Sequence, residues 1–237
     1  MPIMDGSSNS FLYLLDQAEV VEQSAKKKYI KINQILEVTD DDKWNVIFGG
    51  GANRYDGDHF GEIIWMGTAG PTQIRDRYYD NTAVKDDVNL YAKATLEASK
   101  GLFLFADMQF RGIDYSFVGV NDDRRDIEGD YQFRFFNPKL GLSYETGNGE
   151  TWYASYAVAN REPVRNDFTD SQEGRAPKPE NLQNLEAGIR TQKGNLSYNA
   201  NFFYMRYKDQ LVLTGQLNDV GAYIRENVAN SFRAGIE

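Results

Sequence analysis

The sequence predicts a mainly β protein: an antiparallel, up-and-down transmembrane β-barrel segment of about eight strands, preceded by a short helix-plus-strand segment. Three observations carry this. From Lys43 onward the side chains alternate with a period of two, apolar on one face and polar on the other. The connections alternate between tight, Gly-containing turns and long polar segments. Aromatic residues make up 14% of the chain, yet the mean hydropathy is −0.60. Strands that are half polar reconcile those two values.

Taken in order, residues 6 to 28 read as a helix. Ser7, Ser8 or Ser10 could cap it, and Phe11, Leu14, Leu15, Ala18 and Val21 fall near helical spacing. Tyr29 to Val38 then alternates as a short strand through Ile30, Ile32, Leu36 and Val38. These residues differ in kind from the rest, so the expected division is an N-terminal segment, 1–42, and a barrel portion, 43–237. In the barrel portion, Trp44, Val46 and Phe48 share a face. So do Val88 to Leu96, Leu102 to Phe110, Phe136 to Tyr144, Trp152 to Val158, Leu185 to Ile189, Leu196 to Tyr204 and Phe232 to Ile236, each at every second residue. The intervening positions, such as Asn89, Lys93, Asp107, Gln109, Arg111, Lys139 and Glu186, are polar.

The connections give the architecture. Tight turns are expected at 98–100, 146–150 and 192–194, and long segments at about 56–86, 113–132, 162–183 and 209–226. Short and long connections thus alternate strictly. Outer-membrane barrels have this pattern, with short inner turns, long outer loops, apolar faces toward lipid and polar faces toward the lumen. Hydrocarbon cannot satisfy backbone polar groups, so each strand must pair with neighbours. "SYAVANREPVRNDF", 155–168, fits this picture. A regular strand passes into a polar loop without turning because it leaves the membrane there.

Composition excludes several classes. At 237 residues the chain suits one large domain or two small ones. A net charge of −9 argues against nucleic acid, whose phosphates require a basic face. With no cysteine, disulfides, thiolate metal sites and cysteine catalysis are excluded. No apolar run approaches the ~20 residues of a spanning helix. The apolar run Phe11–Leu15 ends at Asp16 with no preceding basic residue, so no signal peptide is recognisable. As written, the chain is expected to be either cytosolic or a piece of something longer.

Candidate chemistry is sparse. His59, the only histidine, lies among Asp56, Asp58 and Glu62. Imidazole and carboxylates at this density could hold a metal, but the spacing fits no defined loop, and turn formation is preferred. "NDDRRD", 121–126, reads as a solvated loop tip with compensating charges. "GGG", 49–51, lacks the Lys-Ser/Thr and the helix of a phosphate loop; bending of the strand or close approach of another domain explains it better. No nucleophile elbow is present. No catalytic residue, metal or cofactor is therefore assigned. Trp44, Trp152 and Tyr156 are expected as interfacial girdle residues near the short-turn ends.

Several stretches resemble TonB-dependent outer-membrane receptors, especially those of the Bacteroidetes type: "KWNVIFGGGANRYDGDHFGEIIW", "FFNPKLGLSYE", "TWYASYAVANREPVRNDF" and "PKPENLQNLEAGIRTQKGNLSYNANFFYMRYKDQLVLTGQLNDVGAYIRENV". Pro177, Pro179, Glu180, Asn184, Glu186 and Gly188 have the spacing of that family's late barrel. The resemblance spans about Lys43 to Glu237 and implies an internal fragment of a wide barrel whose lumen holds a plug domain. It implies import of a ferric siderophore, haem, cobalamin or oligosaccharide across the outer membrane, with energy from TonB. The implied partners are outer-membrane lipid, the plug, TonB and an extracellular small-molecule or glycan ligand. It also makes Arg111, Arg161 and Arg165, at the lumen or its mouth, candidates to meet an anionic ligand or the plug, since the guanidinium fork suits carboxylates. Membership of a salt-bridge network in the lumen is the preferred reading of these arginines. Two rivals stand beside this: a small closed eight-stranded barrel with a structural or adhesive role, and a soluble lipocalin-like binder with an apolar interior.

Overall fold

A chain of alternating strands joined by tight turns pairs most readily with its own neighbours, because each turn delivers the next backbone edge at once. The computed structural model describes residues 21–40, 43–67, 70–171, 176–217, 221 and 223–237. In it the strands are β1 (Val21–Asp40), β2 (Trp44–Ile63), β3 (Arg77–Ser99), β4 (Leu102–Val120), β5 (Asp126–Glu145), β6 (Glu150–Arg161), β7 (Glu180–Lys193), β8 (Leu196–Leu217) and β9 (Tyr223–Ile236). They form one sheet in chain order, β1 to β9, with antiparallel pairing at β5–β6, β6–β7, β7–β8 and β8–β9. A five-residue helix, α1 (Arg165–Thr169), lies between β6 and β7.

The chain divides into two units. The first includes 54–86 and 114–131, which hold the β2–β3 and β4–β5 connections. Phe60, Tyr79, Ala83, Tyr115 and Phe117 are buried here, with Asn81. Asn81 Nδ2 donates to the Val120 carbonyl, 3.0 Å away, and Phe117 packs near Tyr131 with ring centroids 6.0 Å apart. Arg77 stacks on the Phe60 ring, 3.9 Å from its centroid.

The second unit includes 31–53, 87–113 and 132–237, and its register decides the orientation of faces. Across β5 to β8, Tyr144, Trp152, Ile189 and Ala200 stand in one row. The next row is Leu142, Ala154, Ala187, Phe202 and Ile236, and the next Leu140, Tyr156, Leu185, Tyr204 and Ala234. Among these, the large side chains other than Ile189 are exposed. At about 3.3 Å per residue and a tilt of roughly 40°, Phe136 to Tyr144 covers about 20 Å, close to the height of a lipid-facing band. Beyond it comes a polar row of Asn160, Asn181, Lys208 and Asn230. The opposite face carries polar and aromatic side chains. Four of its cations stack on rings: Lys93 on Tyr91, Lys139 on Phe105, Arg190 on Tyr153 and Arg233 on Tyr207.

This orientation excludes the soluble binder, whose interior should be apolar. Leu90 is 57% exposed and Leu104 41% exposed, while their polar neighbours line the other face.

Three expectations are corrected. The helix over residues 6–28 is replaced, within the described residues, by strand from Val21; residues 6–20 lie outside them. Glu22 to Lys28 contains no large apolar residue, so a helix there has no face to bury, whereas pairing in the sheet satisfies every backbone group. The expected connections 56–86, 113–132 and 209–226 are much shorter: β2 runs to Ile63, β3 starts at Arg77, β4 runs to Val120, β5 starts at Asp126, and β8 ends at Leu217. The connection after β6 stays longest, from Glu162 to Pro179, and that after β2 keeps residues 64–76. At Gly49 and Gly50 the neighbouring strand comes close. A side chain at Gly49 would lie 2.3 Å from the Tyr91 ring, and one at Gly50 2.7 Å from the Leu90 side chain. Finally, Trp44 and Trp152 lie at the short-turn ends, but Tyr156 stands in the middle of the apolar band, opposite Leu140 and Leu185.

Candidate functional site

The opposing strand faces concentrate charge where β3 and β4 meet the start of the β6–β7 connection. Asp87, on the polar face of β3, is buried. Arg111, on the polar face of β4, donates to it from Nη2 at 2.6 Å and from Nε at 3.1 Å. The same guanidinium donates to both oxygens of Glu162, each at 2.9 Å. Every guanidinium nitrogen thus donates to a carboxylate, Nε to Asp87, Nη1 to Glu162 and Nη2 to both, the kind of forked pairing in which Arg binds most strongly. The trio carries a net negative charge and fixes the first residue of the long connection to the sheet.

Further described residues of that connection are also fastened. The Asp167 carboxylate accepts the Val164 N–H at 2.8 Å, which closes the first turn of α1, and accepts from Arg225 of β9 at 3.0 Å. Phe168 is buried. The Asn227 side chain accepts from the Lys178 N–H at 2.8 Å and donates to its carbonyl at 3.0 Å, standing in for a strand partner.

Of the three candidate arginines, Arg111 is the centre of this cluster. Arg161 belongs to a different one: it pairs with Glu180 at 2.7 Å, and that carboxylate oxygen also accepts the Leu211 N–H. Arg165 opens α1. The structure therefore brings Arg111 and Arg161 to separate carboxylates and does not gather the three around one point. Asp87, Glu162, Asp167, Glu180 and Arg225 were missed as site residues. The odd-numbered position of Asp87 put it on the same face as Asn89 and Lys93, which was a usable signal. No signal paired Arg225 with Asp167, 58 residues apart.

Elsewhere, among the described residues no group of three or more His, Asp or Glu is placed to hold a metal ion. His59 Nε2 is 2.8 Å from the Tyr55 hydroxyl, which reaches it across Gly57 on the same strand face. Residues 121–125 close a tight hairpin between β4 and β5, with Asn121 N–H donating to the Arg125 carbonyl at 2.9 Å. Asp123 is held below the usual carboxylate range. Burial pushes it upward, but hydrogen bonds from the Arg125 side chain and backbone outweigh that.

A sheet with an exposed apolar face, a charged inner face and a folded loop fastened at the end of its strands defines the wall of a membrane barrel. The family model described as TonB dependent receptor-like, beta-barrel, matches residues 6–237, and the chain belongs to that family. Its place is the outer membrane. Among solved structures it is similar to the ferric-catecholate import receptor Fiu from K12 E. coli, with 16% identity and a TM-score of 0.62; the match covers 91% of this chain and 35% of that one. It is similar to the copper transporter OprC, with 13% identity and a TM-score of 0.72, covering 91% and 34%. It is also similar to the alcaligin outer-membrane receptor FauA from Bordetella pertussis, with 15% identity and a TM-score of 0.59, covering 91% and 36%. Separately, 44 residues of the chain are 57% identical to the UDP-3-O-acyl-N-acetylglucosamine deacetylase of Shewanella denitrificans. That match spans 19% of this chain and 14% of the deacetylase.

Proposed function

We propose that residues 43–237 supply part of the wall of an outer-membrane receptor that imports a scarce nutrient, with a plug domain in its lumen and energy relayed by TonB. A ferric siderophore is favoured over haem, cobalamin or an oligosaccharide. The observation that carries this reading is the fastened β6–β7 connection. Arg111, Asp87 and Glu162 hold a folded loop at the mouth of a polar wall, which is where a small anionic complex would first meet the protein. The names of Fiu and FauA, as an import receptor for a ferric catecholate and a receptor for alcaligin, support the same ligand class.

Within the candidate residues the roles separate. Arg111 is an anchor, since its donors are taken up by carboxylates. Arg161 keeps 62% of its side chain exposed while paired to Glu180, so it is the better candidate for an anionic ligand, with Arg165 close by in sequence. The test is uptake of radiolabelled ferric siderophore, ferric citrate, haem and cobalamin by cells that carry the whole protein, with and without TonB. TonB-dependent uptake of one ferric complex, weakened by Arg161→Ala at unchanged surface amount, is the expected result. Uptake of none of the panel, or uptake indifferent to TonB, contradicts the reading.

A further inference from the structure

We propose that Arg206 and Lys208, on the lipid-facing side of β8 at its loop end, bind the phosphate of one lipid headgroup, and that the occupant is a phosphomonoester lipid of the loop-side leaflet. The inference rests on the orientation of the barrel wall and on no particular imported nutrient.

Both side chains are exposed and share the parity of the lipid-facing Phe202 and Tyr204. On that face Arg206 stands between Gln183 of β7 and Phe232 of β9, and Lys208 between Asn181 and Asn230. The next positions inward are Leu185 and Ala234. None of these six is charged, and among the described residues neither cation has a carboxylate partner. Other outward cations differ. Arg54, with the parity of Trp44 and Phe48 on β2, pairs with Asp86 at 3.0 Å. Lys193, at the short-turn end of β7, pairs with Glu150 at 2.7 Å. The wall neutralises those two itself. It leaves Arg206 and Lys208 uncompensated, in a chain whose net charge is −9.

Depth selects a headgroup. Tyr198, near the short-turn end of the apolar face of β8, lies eight residues before Arg206 and ten before Lys208. At about 3.3 Å per residue and a tilt of roughly 40°, the two cations stand about 20–25 Å above it, at the upper border of the apolar band. Just inside them Tyr204 and Phe232 stack, with ring centroids 6.0 Å apart, as aromatic side chains do at a membrane interface. Cations at this level meet phosphate and not acyl chain. Charge selects the ester. Alternate residues of a strand are about 6–7 Å apart, so two long side chains converge on one phosphate, the guanidinium fork on two oxygens and the ammonium on a third. A phosphomonoester carries about −1.5 to −2 charge at neutral pH and compensates both cations. A phosphodiester, with a single charge, compensates only one.

The experiment reconstitutes the whole protein in phosphatidylcholine vesicles doped in turn with phosphatidic acid, phosphatidylglycerol or phosphatidylcholine, each bearing the same diazirine near the glycerol end of an acyl chain. Photo-adducts are mapped by peptide mass spectrometry. At Tyr204 and Phe232, labelling by phosphatidic acid should exceed that by phosphatidylcholine about five- to thirtyfold, at roughly fivefold per basic residue near a lipid surface, with phosphatidylglycerol between. At Val88 and Phe110, which are exposed on the lipid faces of β3 and β4, the three lipids should label equally. Arg206→Gln combined with Lys208→Gln should abolish the preference. Arg206→Lys, which keeps the charge, should retain most of it, and Arg54→Gln all of it. Equal labelling by the three lipids at Tyr204 and Phe232 overturns the proposal in favour of unselective boundary lipid. A preference erased by inorganic phosphate at the same concentration overturns it in favour of a free-anion site, and one that survives the double substitution removes these two residues from the site.

Discussion

Asn137 Oδ1 accepts hydrogen bonds from both the backbone N–H of Asn160, at 3.0 Å, and its Nδ2, at 2.9 Å. The regular β5–β6 register extends to Lys139 opposite Ala157, and the next residue of β5 is Pro138, which has no N–H to give. The Asn137 side chain takes over where the ladder falters. It is itself held by Asn137 Nδ2 donating to Gln109 at 2.9 Å, while Asn160 Oδ1 accepts from Asn181 at 2.8 Å. The point where the strand of 155–161 leaves the membrane is therefore stitched by amides. Asn137→Ala should destabilise the sheet by about 1–2 kcal/mol, the cost of an orphaned backbone donor. Urea unfolding of the protein in detergent measures it, and an unchanged midpoint contradicts this role.

Arg111→Ala should leave two carboxylates, Asp87 and Glu162, facing each other without their shared cation. A loss of about 2–3 kcal/mol is expected, as for hydrogen bonds to charged groups. The local effect is more telling: hydrogen exchange at α1, residues 165–169, should accelerate. Glu162→Gln should give the same acceleration with less loss of global stability, because Arg111 retains Asp87. Protection at α1 that ignores both substitutions would mean that the clamp does not hold the connection.

Gly49 and Tyr91 should be energetically coupled. A methyl group at Gly49 would lie 2.3 Å from the Tyr91 ring, so Gly49→Ala should cost about 1–3 kcal/mol as an overpacking change. In a Tyr91→Ala background the space is vacant and the same substitution should be nearly neutral. A double-mutant cycle with no coupling refutes the packing.

The β4–β5 hairpin should loosen in acid. The Asp123 carboxyl is held below its usual range in the folded state, with Arg125 outweighing burial. Its contribution is thus complete above the ordinary carboxylate value and is lost as pH falls through the lower folded value. Exchange at residues 121–125 should rise in that acid window and nowhere above it. Asp123→Asn should remove the pH dependence, and a hairpin that opens at neutral pH contradicts the assignment.

The eight strands after Lys43 were legible because period-two alternation survives wherever one face meets hydrocarbon and the other does not. Leu90, Leu104, Leu140 and Phe202 were all on the face expected of them. Strand ends were not legible in the first unit. There the alternation persists with its parity reversed: on β4 the exposed Asp114 and Ser116 continue the parity of the apolar Leu102–Phe110 face, while Ile113, Tyr115 and Phe117 are buried on the other, so a strand read by one continuous apolar face ends too early. The helix over 6–28 failed in its described part because the apolar spacing that suggested it ends at Val21. Arg111 was legible as an inward charge, but its partner Glu162 lies 51 residues away, and alternation says which face a side chain is on, never which distant side chain it meets.

The account depends most on which face meets lipid. Nitroxide labels at Leu90, Leu104 and Leu142, and at Asn89, Asp107 and Ser143, attached one at a time to the whole protein in vesicles, measure this through collision with dissolved oxygen or with a water-soluble nickel complex. Labels at 90, 104 and 142 should relax strongly with oxygen and weakly with nickel, and those at 89, 107 and 143 the reverse. Uniform exposure to nickel at all six positions, or an inverted pattern, would contradict the barrel wall described above.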